Sequence, residues 1–217
     1  LAWSAHLQAG YWRNTVGLLT RTVTVTERNA QAHTILASEF TARGQLDQAI
    51  AHYGEAVTIE PDSIVARVNL AGCLSQQGRL DEAAASYEEA RRRSQADPEI
   101  LTNLAIVMTR QKRREEALAK FNEALRLAPD DPAAHRASAV ALGRLGRDEE
   151  AIEHLRRAIP AYPLDPGIRV NLGVLLRRQG RLEEAVAEFS RALRLAPDDE
   201  TTLKELERTE ELLRGLR

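Results

Sequence analysis

The side chains in this sequence able to do acid–base, nucleophilic or metal chemistry are five histidines, one cysteine and a set of glutamate pairs. Their spacing argues against all three kinds. Apart from His6, the histidines recur on a 34-residue register: His33 with His135, and His52 with His154. Residues that repeat with a fixed period behave as parts of a scaffold rather than as one acid–base dyad. No His-x-x-x-His or Cys-x-x-Cys spacing suggests a metal. The single cysteine, Cys73, rules out an internal disulfide. The glycines stand singly along the chain, so no glycine-rich loop cradles a phosphate. Pairs such as Glu115-Glu116 and Glu183-Glu184 open helical stretches, where acids complement the positive end of the helix dipole. The expectation is a chain with no catalytic residue, no cofactor and no metal.

Recognition chemistry is better represented. Asn69, Asn103 and Asn171 share one column of the same register, which Ile35 and Ala137 interrupt. An amide side chain both donates and accepts, so a row of asparagines can engage the N–H and C=O of an extended peptide. Arg110, Arg144, Arg177 and Arg178 add guanidinium forks suited to carboxylates. The plain alternative for them is a solvated, partly salt-bridged helix surface. Arg91, Arg92 and Arg93 sit late in a helical stretch, where cations complement the dipole.

A repeat positions these residues. From Ala30 onward the chain divides into contiguous 34-residue blocks: 30–63, 64–97, 98–131, 132–165 and 166–199. Position 8 is Ala37, Ala71, Ala105, Ala139 and Gly173, and position 20 is alanine throughout. Position 27 is alanine too, position 24 is bulky (Tyr53, Tyr87, Phe121, Leu155, Phe189), and position 32 is proline in four of five blocks. Position 15 reads Gly44, Gly78, Lys112, Gly146 and Gly180. Two amphipathic runs flank that column, so each block predicts two helices joined by a turn whose central residue takes a positive φ. Small residues let the helices approach, the bulky one fills the space beside them, and proline closes the second helix.

These columns resemble the tetratricopeptide repeat family, and the likeness covers nearly the whole chain. The resemblance implies an all-α solenoid of antiparallel helix pairs in a right-handed superhelix, with first helices lining a concave groove. It also implies that groove residues come from positions 2, 5, 6, 9, 12 and 13 of each block. Asn69, Asn103 and Asn171 then stand at position 6, similar to the asparagine ladder of the O-GlcNAc transferase repeats. Arg110, Arg144, Arg177 and Arg178 stand at positions 12 and 13. The carboxylate clamp of the chaperone-tail binders is not matched: its columns read Thr34, Ser38, Asn69, Glu99 and Asn103, which lack the cations it needs.

Departures from the pattern carry expectations of their own. Gln95 replaces the proline of block 64–97 and predicts a slightly longer second helix; Pro160 predicts an early end to the second helix of block 132–165. Residues 200–217 read as a capping helix whose apolar face is Leu203, Leu206, Leu212 and Leu213. Residues 1–29 read as a degenerate half-repeat cap containing Trp3 and Trp12. Its run YWRNTVGLLTRTVTVTERNAQAH resembles the start of the repeat region in bacterial O-mannosyltransferase-like membrane proteins, whose repeats lie outside the cytoplasm. The chain opens on Leu1, as expected of a piece cut from a longer protein.

The net charge of −2 gives no global field favouring nucleic acid, and no run has the length of a membrane span. The leading expectation is a non-catalytic scaffold that holds a protein or peptide ligand in its groove. Two alternatives remain: the repeat domain of a membrane glycosyltransferase, which would place it outside the cytoplasm rather than within it, and an array that oligomerises through its ends.

Overall fold

The computed structural model describes residues 29–94 and 96–216. The half-repeat expected over 1–29, with both tryptophans, lies outside the described residues except for Asn29. The described residues form eleven α-helices and no strand. They fall into two compact units, divided between Gln111 and Lys112.

In the first unit, α1 (Ala30–Ala42) packs against α2 (Leu46–Ile59), and α3 (Ile64–Gln76) against α4 (Leu80–Arg93). Helix α5 (Pro98–Arg110) packs against α4. In the second unit, α6 (Arg114–Leu127) packs on α7 (Pro132–Arg144), and α7 pairs with α8 (Asp148–Ala158). Helix α9 (Pro166–Arg178) pairs with α10 (Leu182–Leu195), which α11 (Glu200–Gly215) covers.

The small-residue columns are the core. The five alanines of position 20 are all fully buried, and those of position 27 are at most 1% exposed. The large residues of position 24 fill the space next to them and are buried in every block. Where position 8 is glycine instead of alanine, the ring of Phe189 has moved in: a Cβ on Gly173 would lie 2.8 Å from a ring carbon. Ser138, at a column otherwise held by leucine, is 1% exposed, and its hydroxyl finds no partner among the described residues.

First helices begin at a capping side chain in the last column of the preceding block. Asn29, Ser63, Asp97, Asp131, Asp165 and Asp199 each accept a hydrogen bond from a backbone N–H of the first turn. Second helices lack such a cap. Their first turns instead carry acids, and Arg79, Arg113, Arg147 and Arg181 each pair with a glutamate three residues on.

Two expectations are corrected. The second helix of block 64–97 is not lengthened: α4 has 14 residues, as α2, α6 and α10 do, and ends in the same column. Its C-cap, Ser94, is extended, and Asp97 is held extended before Pro98 while capping α5. The geometry of the next helix start stops α4, with no proline of its own. On α11 the buried residues are Thr202 and Thr209, while Leu203 and Leu212 are exposed. The inward stripe is thus Thr202, Leu206, Thr209 and Leu213, because helical spacing from Thr202 selects that face. Pro160 does act as a breaker: α8 has 11 residues, and a 3₁₀ turn over Ile159–Ala161 follows it.

The turns within pairs share one device. Gly44, Gly78, Gly146 and Gly180 have φ between 71° and 83°, and Lys112 has φ 67° in the same column. Space around the glycines is open, so what selects glycine there is backbone conformation alone. An L-residue in this region costs roughly 1–2 kcal/mol. Lys112→Gly is therefore expected to stabilise the protein by about 1 kcal/mol, and Gly146→Ala to destabilise it by a similar amount. Urea denaturation midpoints check both; an unmoved midpoint for Lys112→Gly would show that the lysine turn carries no strain.

Candidate functional site

In the second unit, α7 and α9 bound an open cleft of about 240 Å³. Val140, Gly143, Arg144, Asn171, Val174 and Arg178 line it, with Ala139, Leu155 and Leu175 beneath. The repeat explains the convergence: Arg144 and Arg178 stand at position 13 of consecutive blocks, and Asn171 two turns before Arg178 on the same helix. Arg178 is held in place, with Nη1 donating to the Gly143 carbonyl at 2.9 Å and Nε 3.1 Å from Asp148 Oδ2. Arg144 and the Asn171 amide are exposed and engage no partner among the described residues. The cleft therefore offers one anchored guanidinium, one free guanidinium and one free amide above an apolar floor.

The first unit repeats part of this. Asn69 is exposed on α3 and Asn103 half-buried on α5, neither with a partner among the described residues. Arg110 Nη1 donates to the Ser75 carbonyl at 2.6 Å and reaches Ser75 Oγ at 2.8 Å. Arg110 to Ser75 and Arg178 to Gly143 are one contact made twice, each spanning 35 positions. Each arginine satisfies a carbonyl at the end of the preceding first helix. Arg177, by contrast, turns away from the cleft and pairs with Glu205 of α11 at 2.6 Å.

Two further columns work together. Residues at positions 4 and 23 of a block meet across the helix pair, always 19 positions apart. His33 and His52 bring their Nδ1 atoms to 3.0 Å, and His135 and His154 theirs to 2.9 Å. Arg169 pairs with Glu188 at 3.1 Å, and Ser86 Oγ donates to the Arg67 carbonyl at 3.1 Å. Likewise, Gln77 meets Asp47 at 2.5 Å, Gln111 meets Asp81 at 2.6 Å, and Gln179 faces Glu149. These links between blocks were visible in the sequence only as paired columns of glutamine and acid.

Three family models of the tetratricopeptide repeat match residues 40–105, 97–163 and 139–200, together spanning 40 to 200. The chain belongs to the tetratricopeptide repeat family. No curated protein sequence matches it. Among solved structures, it is similar to YrrB, a TPR protein with an unusual peptide-binding site, at 19% identity and a TM-score of 0.67. That match covers 86% of this chain and 96% of YrrB. The Cut9–Hcn1 hetero-tetramer of the APC/C gives a TM-score of 0.78 at 18% identity, over 94% of this chain and 41% of that one. A thermophilic TPR protein of Thermus thermophilus is 25% identical, with a TM-score of 0.64, over 85% and 99%. These likenesses speak for the fold. Of the opening run that resembles the O-mannosyltransferase-like proteins, residues 11–28 lie outside the described residues. Among the described residues no helix is long and apolar enough to cross a membrane.

In the first histidine pair, the surroundings of His52 predict a pH dependence for this tetratricopeptide array. Burial lowers the pKa of His52, the neighbouring His33 lowers it further, and Glu55 opposes them in part. His52 also stacks on Phe40, with centroids 5.5 Å apart. The folded state thus prefers neutral His52, while the unfolded chain takes up its proton near the ordinary value of about 6.5. Above that pH neutral His52 contributes fully; below it the unfolded state binds the proton first, and stability falls until the lowered folded pKa is passed. Thermal melts from pH 7.5 to 5.0 are expected to show a midpoint that drops below pH 6.5, with a shallower drop in His52→Asn.

Proposed function

We propose that this chain is a protein-interaction scaffold, and that the α7–α9 cleft takes an acidic side chain of an extended peptide. The observation that carries this reading is the meeting of Arg144, Asn171 and Arg178 over an apolar floor, with Arg144 and Asn171 uncommitted. Size narrows the ligand. A cleft of about 240 Å³ falls short of the roughly 300–1,000 Å³ of cofactor and drug-sized sites, but it holds a single side chain. Arg144 and Arg178 suit a carboxylate, which a guanidinium can bind through two N–H groups. Asn171 suits the peptide unit beside it, and Asn69 and Asn103 offer the same chemistry to main chain at the equivalent place on α3 and α5. The peptide-binding relative YrrB has the same fold and supports the class of ligand without naming it.

The test is a fluorescent library of acidic and neutral decapeptides scored for binding. Acidic sequences are expected to be selected, with affinity falling steeply between low and physiological salt. Arg144→Glu should weaken the best binder by about tenfold or more, since it replaces attraction with repulsion. Replacing Asn69, Asn103 and Asn171 together with alanine should abolish capture while the helical circular dichroism is unchanged. Full affinity in both variants would overturn the groove assignment.

A further inference from the structure

The second histidine pair is fixed by a backbone contact as well as by its own hydrogen bond. His135 is buried on α7, and its Nε2 lies 3.0 Å from the Pro129 carbonyl. A carbonyl only accepts, so Nε2 carries the proton and, in the neutral ring, the Nδ1 lone pair is left facing His154 Nδ1 2.9 Å away. A histidine that donates one ring N–H to a backbone carbonyl and keeps a lone pair on its other nitrogen is arranged as metal-ligating histidines are. The ring centroids stand 4.9 Å apart, against 5.2 Å for His33 and His52, so the two rings converge more closely here.

The geometry points to a two-histidine chelate for a borderline transition-metal ion, of the Ni²⁺ or Cu²⁺ class, at His135 and His154. With metal–nitrogen bonds of about 2.0–2.1 Å, nitrogens 2.9 Å apart subtend roughly 90° at the ion. That is the cis angle of octahedral or square-planar coordination, which these ions favour; a tetrahedral site would need the nitrogens about 3.3 Å apart. Among the described residues no third histidine, cysteine or carboxylate completes a cluster, so water fills the other positions. There is room for it: the pair opens onto a cleft of about 240 Å³ lined also by Leu125, Pro129, Glu150, Glu153 and Arg157. Glu150 is bound by Arg147 and Glu153 by Arg157, so these carboxylates lie near the ion without being released to bind it. On loading, the His154 Nδ1 proton moves through solvent to Nε2 of the same ring, and no net proton is gained or lost.

The probe is NiCl₂ titrated into the full chain at pH 7.5, read by calorimetry and by thermal melting. The expected result is saturable binding that raises the melting midpoint. His154→Asn, a substitution on a half-buried ring, is expected to weaken one equivalent by about tenfold or more. His52→Asn should leave that equivalent in place. No binding by the unaltered protein would overturn the assignment without any variant having to fold. Unchanged affinity and stoichiometry in His154→Asn, or loss of this equivalent in His52→Asn, would also overturn it.

Discussion

The close approach of paired helices over alanine is the constraint on which the rest of this structure depends. Alanines at positions 20 and 27 are sealed in every block, and the ring or leucine at position 24 is set by the gap they leave. Interiors packed at this density have little tolerance for an added methylene. Gly173 shows how small the margin is, since Phe189 already occupies the volume that a β-carbon would take. Once helix spacing is fixed this way, a residue at a given position has the same neighbours in each block. Polar side chains on these helices, the asparagine and arginine columns among them, then inherit their geometry from the core.

Much of this was legible in the sequence because the repeat averages out local noise. The alanine, glycine and aromatic columns imply helix pairs, and the structure has them. Lys112 could be read as a left-handed turn residue only through its column, since lysine alone gives no such signal. What stayed hidden depended on what crosses between helices. The end of α4 is governed by the cap of the following helix rather than by a missing proline. The inner face of α11 is marked by two threonines because leucine content says less than phase. Arg177 and Arg178 are adjacent in the chain, yet one turns to α11 and the other to the cleft, since neighbours on a helix point about 100° apart.

The arginines of position 13 have a double part. Arg178 and Arg110 each hold a carbonyl of the preceding block, so their guanidinium planes are set before any ligand arrives. A group ordered in advance loses less rotamer entropy on binding. Arg144 lacks such a tie among the described residues and keeps its freedom. The cleft therefore combines one rigid and one adaptable cation, which is what the proposed binding of a carboxylate would draw on.

The polar links between helices described above all join residues 19 to 35 positions apart. Such short loops cost little entropy to close, and the cost rises only with the logarithm of their length. A chain with contacts this local belongs to the fast-folding end of the range, where structure can start in any pair and spread to its neighbours. The same locality makes the loss of an end pair a local event. A nascent chain can bury its first alanine columns while later blocks are still being made, before any distant part exists to meet it.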